Sequence, residues 1–320
     1  MHQEALRLAR DALKDFKADE MPAAIESMTR ALVIEPRCAE FWMWLGEMYA
    51  RQEQFAPAID AYEAAIAWDS SLAAAHAGLG RAFEELGKWA EAERALKASI
   101  RLVPTASRYV ILSNVQLAQQ KEHEAEKSLL YALELDPQNE EALFNLGMTK
   151  RWEHVEEAEA IFRQTILINK NFGPAYRELG LLSARSGNVQ DAEKMLRSAI
   201  QLDNADPWAH IYLGNVFVNS GRVSEAESEY LAALSQEPLW SEPRRLLGQL
   251  YSDEGRHHEA IAELERAVVD SPDDPESAYA LALAFLESGN RDAARPWFER
   301  ALALNPSQQT ITAIRKHLQW

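Results

Sequence analysis

The sequence is poor in the residues that break or cross-link a chain. Its 320 residues include one cysteine, Cys38, so no disulfide can form within the chain. Glycine and proline each occur 13 times, and glycine therefore falls well below its usual share of roughly 7%. So few turn-forming residues leave little irregular loop, which favours a helical protein. No apolar run approaches the roughly 18 residues that a membrane-spanning helix needs.

Basic residues are also few. Lys and Arg together number 33 against 50 Asp and Glu, which gives a formal net charge of −17. Phosphate binding needs clustered Lys and Arg, so this balance argues against nucleic acid or an anionic membrane as the main partner. The N-terminal segment MHQEALRLARDALKDF is charged and has no apolar signal-peptide core. We therefore expect a soluble, cytoplasmic protein without membrane insertion.

What the chain does contain is a repeated pattern of small residues. One alanine recurs every 33 or 34 residues, at Ala24, Ala58, Ala92, Ala125, Ala158, Ala192, Ala226, Ala260 and Ala294. Seven residues after each of them stands a second small residue, at Ala31, Ala65, Ser99, Ala132, Thr165, Ala199, Ala233, Ala267 and Ala301. A third precedes most of the first alanines by twelve positions, at Ala12, Gly46, Gly80, Ser113, Gly180, Gly214, Gly248 and Ala282. An internal period of this length is typical of stacked helix pairs.

This pattern resembles the tetratricopeptide repeat, a 34-residue antiparallel helix pair with small residues near positions 8, 20 and 27 and proline near position 32. Repeat seven shows it well, in His210, Leu213, Gly214, Phe217, Gly221, Ala226, Tyr230, Ala233 and Pro238. Nine copies fill residues 1–308, with starts near residues 5, 39, 73, 106, 140, 173, 207, 241 and 275, and residues 309–320 are predicted to form a C-terminal capping helix. The resemblance implies an all-α fold, a right-handed α-solenoid superhelix of antiparallel helix pairs in one continuous domain.

The small residues have a physical role that does not depend on the family. Two helices approach to about 8 Å only where the side chains at their contact are small. Glycines such as Gly87 and Gly221 mark the turn inside a pair, where glycine adopts a left-handed conformation at little cost. Nine pairs and one cap predict 19 helices and no β-strand. Repeat five has Lys150 in place of an aromatic residue and a turn that is one residue short, so we expect a bent or loosely packed pair.

No motif in the sequence supports catalysis or metal binding. His123 and Glu124 begin an HExxH zinc motif, but Lys127 stands where the second histidine ligand belongs. In another segment, Ala82 and Trp89 replace the glycine and the Ser or Thr that a phosphate-binding loop requires. Paired carboxylates are common on helix surfaces, and none is set apart for acid–base work. We therefore expect a protein that is not an enzyme and that holds no cofactor and no metal.

The resemblance also implies where a partner binds. In this family the first helix of each pair lines the concave groove of the superhelix, at positions two, five, six, nine, twelve and thirteen. The candidate groove residues of this chain are Met43, Trp44, Glu47, Arg81, Asn114, Phe144, Asn145, Arg177, Tyr212, Asn215, Arg245, Gln249 and Tyr279. Aromatic residues and arginines such as these are enriched at binding hot spots. Trp44 is of particular interest, because it points about 200° away from Trp42 on the same helix and the two cannot fill one interface.

Two binding modes of the family do not fit these positions. A chaperone-tail clamp needs two asparagines and three basic residues, and the best window here offers Val110, Asn114, Asn145, Pro174 and Glu178, with both asparagines and no basic residue. The asparagine ladder of the transferase for O-linked N-acetylglucosamine needs Asn at position six, which only Asn145 provides. Asn114 and Asn145 still suit a peptide backbone, because an amide side chain both donates and accepts.

These observations predict a non-catalytic scaffold or adaptor that binds a peptide or protein segment in the concave groove. The row of Arg177, Tyr212, Arg245 and Tyr279 suits a partner with acidic or aromatic side chains. One alternative is a repeat module that serves an enzyme or a secretion or assembly machine, such as a glycosyltransferase partner or a co-chaperone-like assembly factor. The others are a homo-oligomer formed through the C-terminal cap with Trp320, and a regulator that changes its pitch at repeat five.

Overall fold

The computed structural model describes residues 1–318, and within this range it contains nineteen α-helices and no β-strand. The predicted all-α class and the predicted number of helices are therefore confirmed. The first helices of the nine pairs are α1 His2–Lys17, α3 Ala39–Arg51, α5 Ala73–Glu85, α7 Ala106–Ala118, α9 Glu140–Lys150, α11 Gly173–Arg185, α13 Pro207–Asn219, α15 Ser241–Asp253 and α17 Pro275–Glu287. The second helices are α2 Met21–Ile34, α4 Phe55–Trp68, α6 Trp89–Leu102, α8 Glu122–Leu135, α10 Val155–Ile168, α12 Val189–Leu202, α14 Val223–Gln236, α16 His257–Asp270 and α18 Arg291–Ala303. The helix after the last pair is α19, Gln308–His317.

Contacts between helices divide the chain into two compact units, Met1–Ile161 and a second unit that begins at Phe162. In the first unit α1 to α9 pack in chain order, each helix on the next, and in the second unit α11 to α18 do the same. First helices of adjacent repeats also touch, as α3 does with α5, α5 with α7, α7 with α9, and α15 with α17. Each unit is therefore a stack of helix pairs, the packing of an α-solenoid, in which neighbouring first helices share a layer.

Small residues bring the two helices of a pair together, as the repeat pattern predicts. The nine alanines that recur every 33 or 34 residues are completely buried. A Cβ added to Gly80 would lie 2.6 Å from Leu96 Cγ, and a Cβ added to Gly248 would lie 2.4 Å from Leu264 Cγ. Because real Cβ atoms do not approach other atoms so closely, glycine is what permits these crossings.

The turns inside the pairs depend on a residue with positive φ. Five glycines have φ between 67° and 84°, namely Gly87, Gly187, Gly221, Gly255 and Gly289. Three other residues occupy the same turn position with φ between 58° and 64°, namely Asp19, Glu53 and Gln120. The repeat pattern predicted this conformation only for glycines. The packing of the two helices therefore imposes the turn geometry even where the local residue disfavours it.

Glu53→Gly is expected to raise the free energy of unfolding by about 0.5–1 kcal/mol. The left-handed conformation costs a non-glycine residue about 1–2 kcal/mol, and the freedom that glycine adds to the unfolded chain offsets part of the gain. Urea unfolding followed by far-UV circular dichroism measures the change. Gln52→Gly is the matched control, because Gln52 has φ of −89° and gains nothing from glycine. An equal gain from both substitutions would contradict the explanation.

Repeat five is shorter than its neighbours. Its first helix, α9, has 11 residues where α7 has 13, and it ends at Lys150. The Lys150 ammonium donates a hydrogen bond to the Glu126 carboxylate of α8, and the lysine side chain is only 14% exposed. The residue that replaces the usual aromatic side chain thus forms an ion pair across the boundary between repeats four and five. The expected bend of this repeat stays a prediction.

The last helix, α19, packs on α17 and α18. Ser307 caps its first turn, with its hydroxyl oxygen 3.1 Å from the Thr310 amide nitrogen. Ile314 points into the preceding pair and is completely buried. Trp320, which was expected to take part in a two-fold contact, lies outside the described residues.

Candidate functional site

The thirteen candidate groove residues all lie on first helices, from α3 to α17. Arg81 is exposed and the other twelve are half-buried. The structure brings together three groups of them. Glu47 and Arg81 line one cleft, Asn114 and Asn145 are hydrogen-bonded, and the Arg245 guanidinium donates to the Gln249 side chain at 3.2 Å.

Some of the remaining candidates are used in packing. Trp44 meets the ring of Phe16 edge-on, with ring centroids 6.0 Å apart. Tyr279 lies 5.9 Å from the ring of Phe298, and Met43 packs against the buried cluster that includes Tyr62. Trp44 therefore packs on the preceding repeat, and this contact accounts for its pointing away from Trp42.

A cleft of about 440 Å³ opens between α3, α4 and α5 in the first unit. Its charged lining consists of the carboxylates of Glu47, Glu53 and Glu85 and the guanidinium groups of Arg51 and Arg81. Charges of both signs face one small volume, so the cleft is suited to polar side chains of a partner rather than to an apolar ligand.

Tyr62, from the second helix, fixes the Glu47 carboxylate at this cleft. Its hydroxyl donates a hydrogen bond to Glu47 Oε2 at 3.0 Å. The ring is 1% exposed and lies against Gly46 and Gly78, where an added Cβ would come within 2.8 Å and 2.4 Å of ring atoms. Burial, reinforced by the Glu47 carboxylate, raises the pKa of Tyr62 well above its ordinary value, so the hydroxyl keeps its proton. Gly78 lies outside the three recurring small positions of the repeat, so the repeat pattern gave no sign of this contact.

Repeat seven contains the same arrangement. The Tyr230 hydroxyl donates to Asn215 Oδ1 at 2.6 Å, and a Cβ on Gly214 would lie 2.5 Å from Tyr230 Cε1. In both repeats the tyrosine follows its polar partner by 15 residues. The signal in the sequence was a tyrosine where other repeats have Leu, Met or Phe, combined with a polar residue at this spacing.

The structure places the two asparagines singled out from the sequence side by side. Asn145 Nδ2 on α9 donates to Asn114 Oδ1 on α7 at 3.0 Å. This bond leaves the Asn114 amide with its donors and the Asn145 amide with its carbonyl oxygen. A donor and an acceptor held next to each other match the C=O and N–H groups of an extended peptide.

Arg177 and Arg245 are bound to carboxylates of their own chain. Arg177 donates to Asp206 at 2.8 Å and to Glu178 at 3.3 Å. Burial lowers the pKa of Arg177, but these two carboxylates outweigh it and raise the pKa above its ordinary value. Arg245 donates to both oxygens of Glu242 at 2.6 Å. An acidic partner would have to displace these carboxylates, so the arginine row is less suited to acidic side chains than the sequence alone indicated.

Two tryptophans outside the predicted groove residues lie against each other in the second unit. The ring centroids of Trp208 and Trp240 are 4.5 Å apart and their ring planes meet at 73°. The centroids of Trp208 and Tyr212 are 5.9 Å apart. Trp208 stands at position two of its repeat, which is one of the groove positions, so the repeat register contained the signal. Trp240 lies in the loop before α15, where the repeat pattern gives no indication of a binding role.

The described residues show no centre of another kind. Within residues 1–318, no group of three or more His, Cys, Asp or Glu side chains is arranged to hold a metal ion. The same part of the chain lacks a helix that combines the length and the apolar character needed to cross a membrane. The features with defined geometry are therefore the Asn114–Asn145 pair, the cleft beside Tyr62 and the aromatic pair in the second unit.

Family comparison agrees with the repeat pattern. Two family models, both described as tetratricopeptide repeat, match the chain, one at residues 2–72, 58–107 and 245–308 and the other at residues 183–250. The matches span more than half of the sequence, so the chain belongs to the tetratricopeptide repeat family. Repeats of this family generally mediate contacts between proteins. No curated protein matches the chain.

Solved structures share the fold at low identity. A tetratricopeptide repeat protein from Parabacteroides merdae is 20% identical with a TM-score of 0.62, and the match covers 78% of this chain and all of that one. The APC/C hetero-tetramer Cut9-Hcn1 gives 18% identity and a TM-score of 0.64 over 94% of this chain, which spans only 60% of the matched chain. Yeast Tom70 is 14% identical with a TM-score of 0.53, over 98% of this chain and 96% of Tom70. At these identities the likeness concerns the fold alone.

Proposed function

We propose that the chain is a non-catalytic, cytoplasmic interaction module that binds an extended segment of a protein partner along the layer of its first helices. The observation that supports this best is the amide pair of Asn114 and Asn145, hydrogen-bonded at 3.0 Å between adjacent first helices. Each amide orients the other, so little side-chain entropy is lost when a peptide binds. Recognition of the backbone would then depend little on the partner's sequence.

The cleft beside Tyr62 would supply selectivity to the same surface. It opens onto α3 and α5, and α5 touches α7, which carries Asn114. Glu47 is held in place by the Tyr62 hydroxyl at 3.0 Å, whereas Arg81 is exposed. A fixed carboxylate and an exposed guanidinium at one cleft favour a partner segment that carries a basic and an acidic side chain near each other.

Asn114→Ala combined with Asn145→Ala is expected to weaken peptide binding about 5- to 30-fold. The two amides contribute hydrogen bonds worth about 1–2 kcal/mol together, since each is worth roughly 0.5–1.5 kcal/mol net. The full chain is first used to select binders from a random 12-residue peptide library displayed on phage. Calorimetry then gives the dissociation constant of a selected peptide for the wild-type chain and for the double variant.

Two comparisons make this test specific. Gln138→Ala removes an exposed amide from the loop between α8 and α9 and should leave the affinity unchanged. N-methylation of the one peptide amide held by the pair should weaken binding to the wild-type chain and should add no further loss in the double variant. Equal affinity of the wild-type chain and the double variant for every selected peptide would exclude the backbone-binding role.

A further inference from the structure

An aromatic pair, exposed at Trp208 and half-buried at Trp240, lies in the second unit, at the start of α13 and in the loop before α15. The indole rings of Trp208 and Trp240 meet at 73° with centroids 4.5 Å apart. Trp208 is 43% exposed and Leu239 is 78% exposed. Together with Pro207 and Glu237, these residues line a cleft of about 470 Å³. A cluster of large apolar side chains left in contact with water marks an interaction site.

The repeat architecture does not require a tryptophan at position 208. In the other eight repeats, position two holds Leu6, Glu40, Ala74, Ser107, Glu141, Pro174, Glu242 and Glu276. Most of these side chains are small or acidic, so an aromatic ring here does not fill the interface between helices. Tryptophan at an exposed position that packing leaves free is the residue most enriched in binding hot spots.

Two backbone features hold the cluster in place before any ligand arrives. Asp206 caps α13 and accepts hydrogen bonds from the Trp208 and Ala209 amides at 3.1 Å and 3.4 Å. The Trp240 amide donates to the Glu237 carbonyl at 3.1 Å, which closes a turn between them. Both the second indole and the Glu237 carboxylate therefore come from one tight turn. A site that is already ordered loses less entropy on binding.

The chemistry of the lining selects a cation. Glu237 is the only ionisable residue that lines this cleft, and within residues 1–318 its carboxylate forms no ion pair. The faces of indole rings attract cations, and the attraction strengthens when the ring is partly desolvated. The net charge of −17 on the chain adds a long-range attraction for basic segments.

From this geometry we infer that the cleft of Trp208, Glu237 and Trp240 binds the side chain of an arginine or lysine in a basic segment of a partner. Arginine is favoured over lysine, because its planar guanidinium stacks on an indole while it donates to a carboxylate. The inference shares with the proposed function only the idea of a protein partner. It concerns different residues in the other unit and is tested with its own ligand.

The test uses the full chain labelled with ¹⁵N at the indole nitrogens, whose nine tryptophans give resolvable N–H signals. Trp208→Phe and Trp240→Phe assign the two signals of interest. The probe is the tripeptide acetyl-Gly-Arg-Gly-amide, compared with the same tripeptide carrying citrulline, which has nearly the same shape without the charge, and with acetyl-Gly-Pro-Gly-amide. We expect the arginine tripeptide to shift the Trp208 and Trp240 signals and to bind at least five times more tightly than either neutral one.

Glu237→Gln should weaken the arginine tripeptide about 3- to 10-fold and leave the citrulline tripeptide unaffected. Glu254→Gln, at an exposed glutamate at the end of α15, is the control and should change neither affinity. Unchanged positions of the other seven indole signals show that the variants are folded. Equal shifts from the arginine, citrulline and proline tripeptides would overturn the inference in favour of an uncharged slot, and the absence of any shift at Trp208 and Trp240 would overturn it outright.

Discussion

Gly78→Ala is expected to lower the free energy of unfolding by about 1–3 kcal/mol, although it adds a single methyl group. The added Cβ would lie 2.4 Å from Tyr62 Cζ and 2.6 Å from Cε1, and the ring cannot move aside because it also lies against Gly46. Overpacking of a full core typically costs this amount. The sign is informative, because the same change in a helix that tolerates it gains about 1 kcal/mol.

A double-mutant cycle identifies the cause of the loss. Tyr62→Leu introduces the residue that four other repeats carry at this position and removes the distal ring atoms from the clash. In that background Gly78→Ala should be neutral or stabilising by about 0.5–1 kcal/mol. Gly173→Ala is the control, because its added Cβ would find only ordinary contacts of 3.7 Å or more. A stabilising Gly78→Ala in the presence of Tyr62 would show that the ring is not confined.

Glu93→Gln is expected to lower the free energy of unfolding by about 1–3 kcal/mol at neutral pH, and by less as the pH falls. The Glu93 side chain is 10% exposed and accepts hydrogen bonds from Lys97 at 2.6 Å, Lys121 at 2.7 Å and Gln119 at 3.0 Å. Burial raises the pKa of Glu93, but these three donors outweigh it and lower the pKa from 4.5 to about 2. Hydrogen bonds to a charged group are worth about 1.5–3 kcal/mol each. In Glu93→Gln the ammonium groups of Lys97 and Lys121 would face an uncharged amide instead of a carboxylate.

The pH dependence follows from the direction of this shift. Because the pKa of Glu93 is lower in the folded state, its contribution is complete above pH 4.5 and is lost as the pH falls towards about 2. The difference in free energy of unfolding between the wild-type chain and Glu93→Gln should therefore narrow over this range, as urea unfolding at a series of pH values would measure. Glu63→Gln, at an exposed glutamate of α4, is the control for the loss of a glutamate charge and should change the free energy of unfolding only slightly at neutral pH. If the difference in free energy of unfolding between the wild-type chain and Glu93→Gln stays constant down to pH 2.5, the ion-pair assignment is contradicted, because the pKa of Glu93 would then be the same in the folded and unfolded states.

The helix pairs could be predicted because the signals that define them are local or lie one period apart. The alanines of the repeat, such as Ala192 and Ala226, are small because two backbones approach at these points, and both are completely buried. The positive φ of Gly221 was predictable for the same reason, since the turn follows directly from the helix pair. Glu53 shows the limit of this reasoning, because its left-handed conformation comes from the packing of two helices and not from its own preference.

The candidate site was only partly predictable, because its residues come into contact through side chains whose rotamers the repeat pattern does not specify. The repeat register placed Asn114 and Asn145 on adjacent first helices, but their hydrogen bond depends on rotamers and helix spacing. The same register placed Arg177 correctly and was silent about Asp206, which belongs to the cap of the next first helix and binds the guanidinium. The carboxylate removes the free charge on which the expectation of an acidic partner rested.

By itself, the sequence determined the nineteen helices found within residues 1–318, which form nine antiparallel pairs and a closing helix, because period and side-chain volume are properties of each repeat. Tertiary structure alone decided which polar and aromatic groups become neighbours. Tyr62 reaches Glu47 through the space left by Gly46 and Gly78, and Trp208 at the start of repeat seven meets Trp240 at its end. The physical reason is that a contact between repeats depends on distances of a few ångströms set by the packing of several helices, which no single position in the repeat encodes.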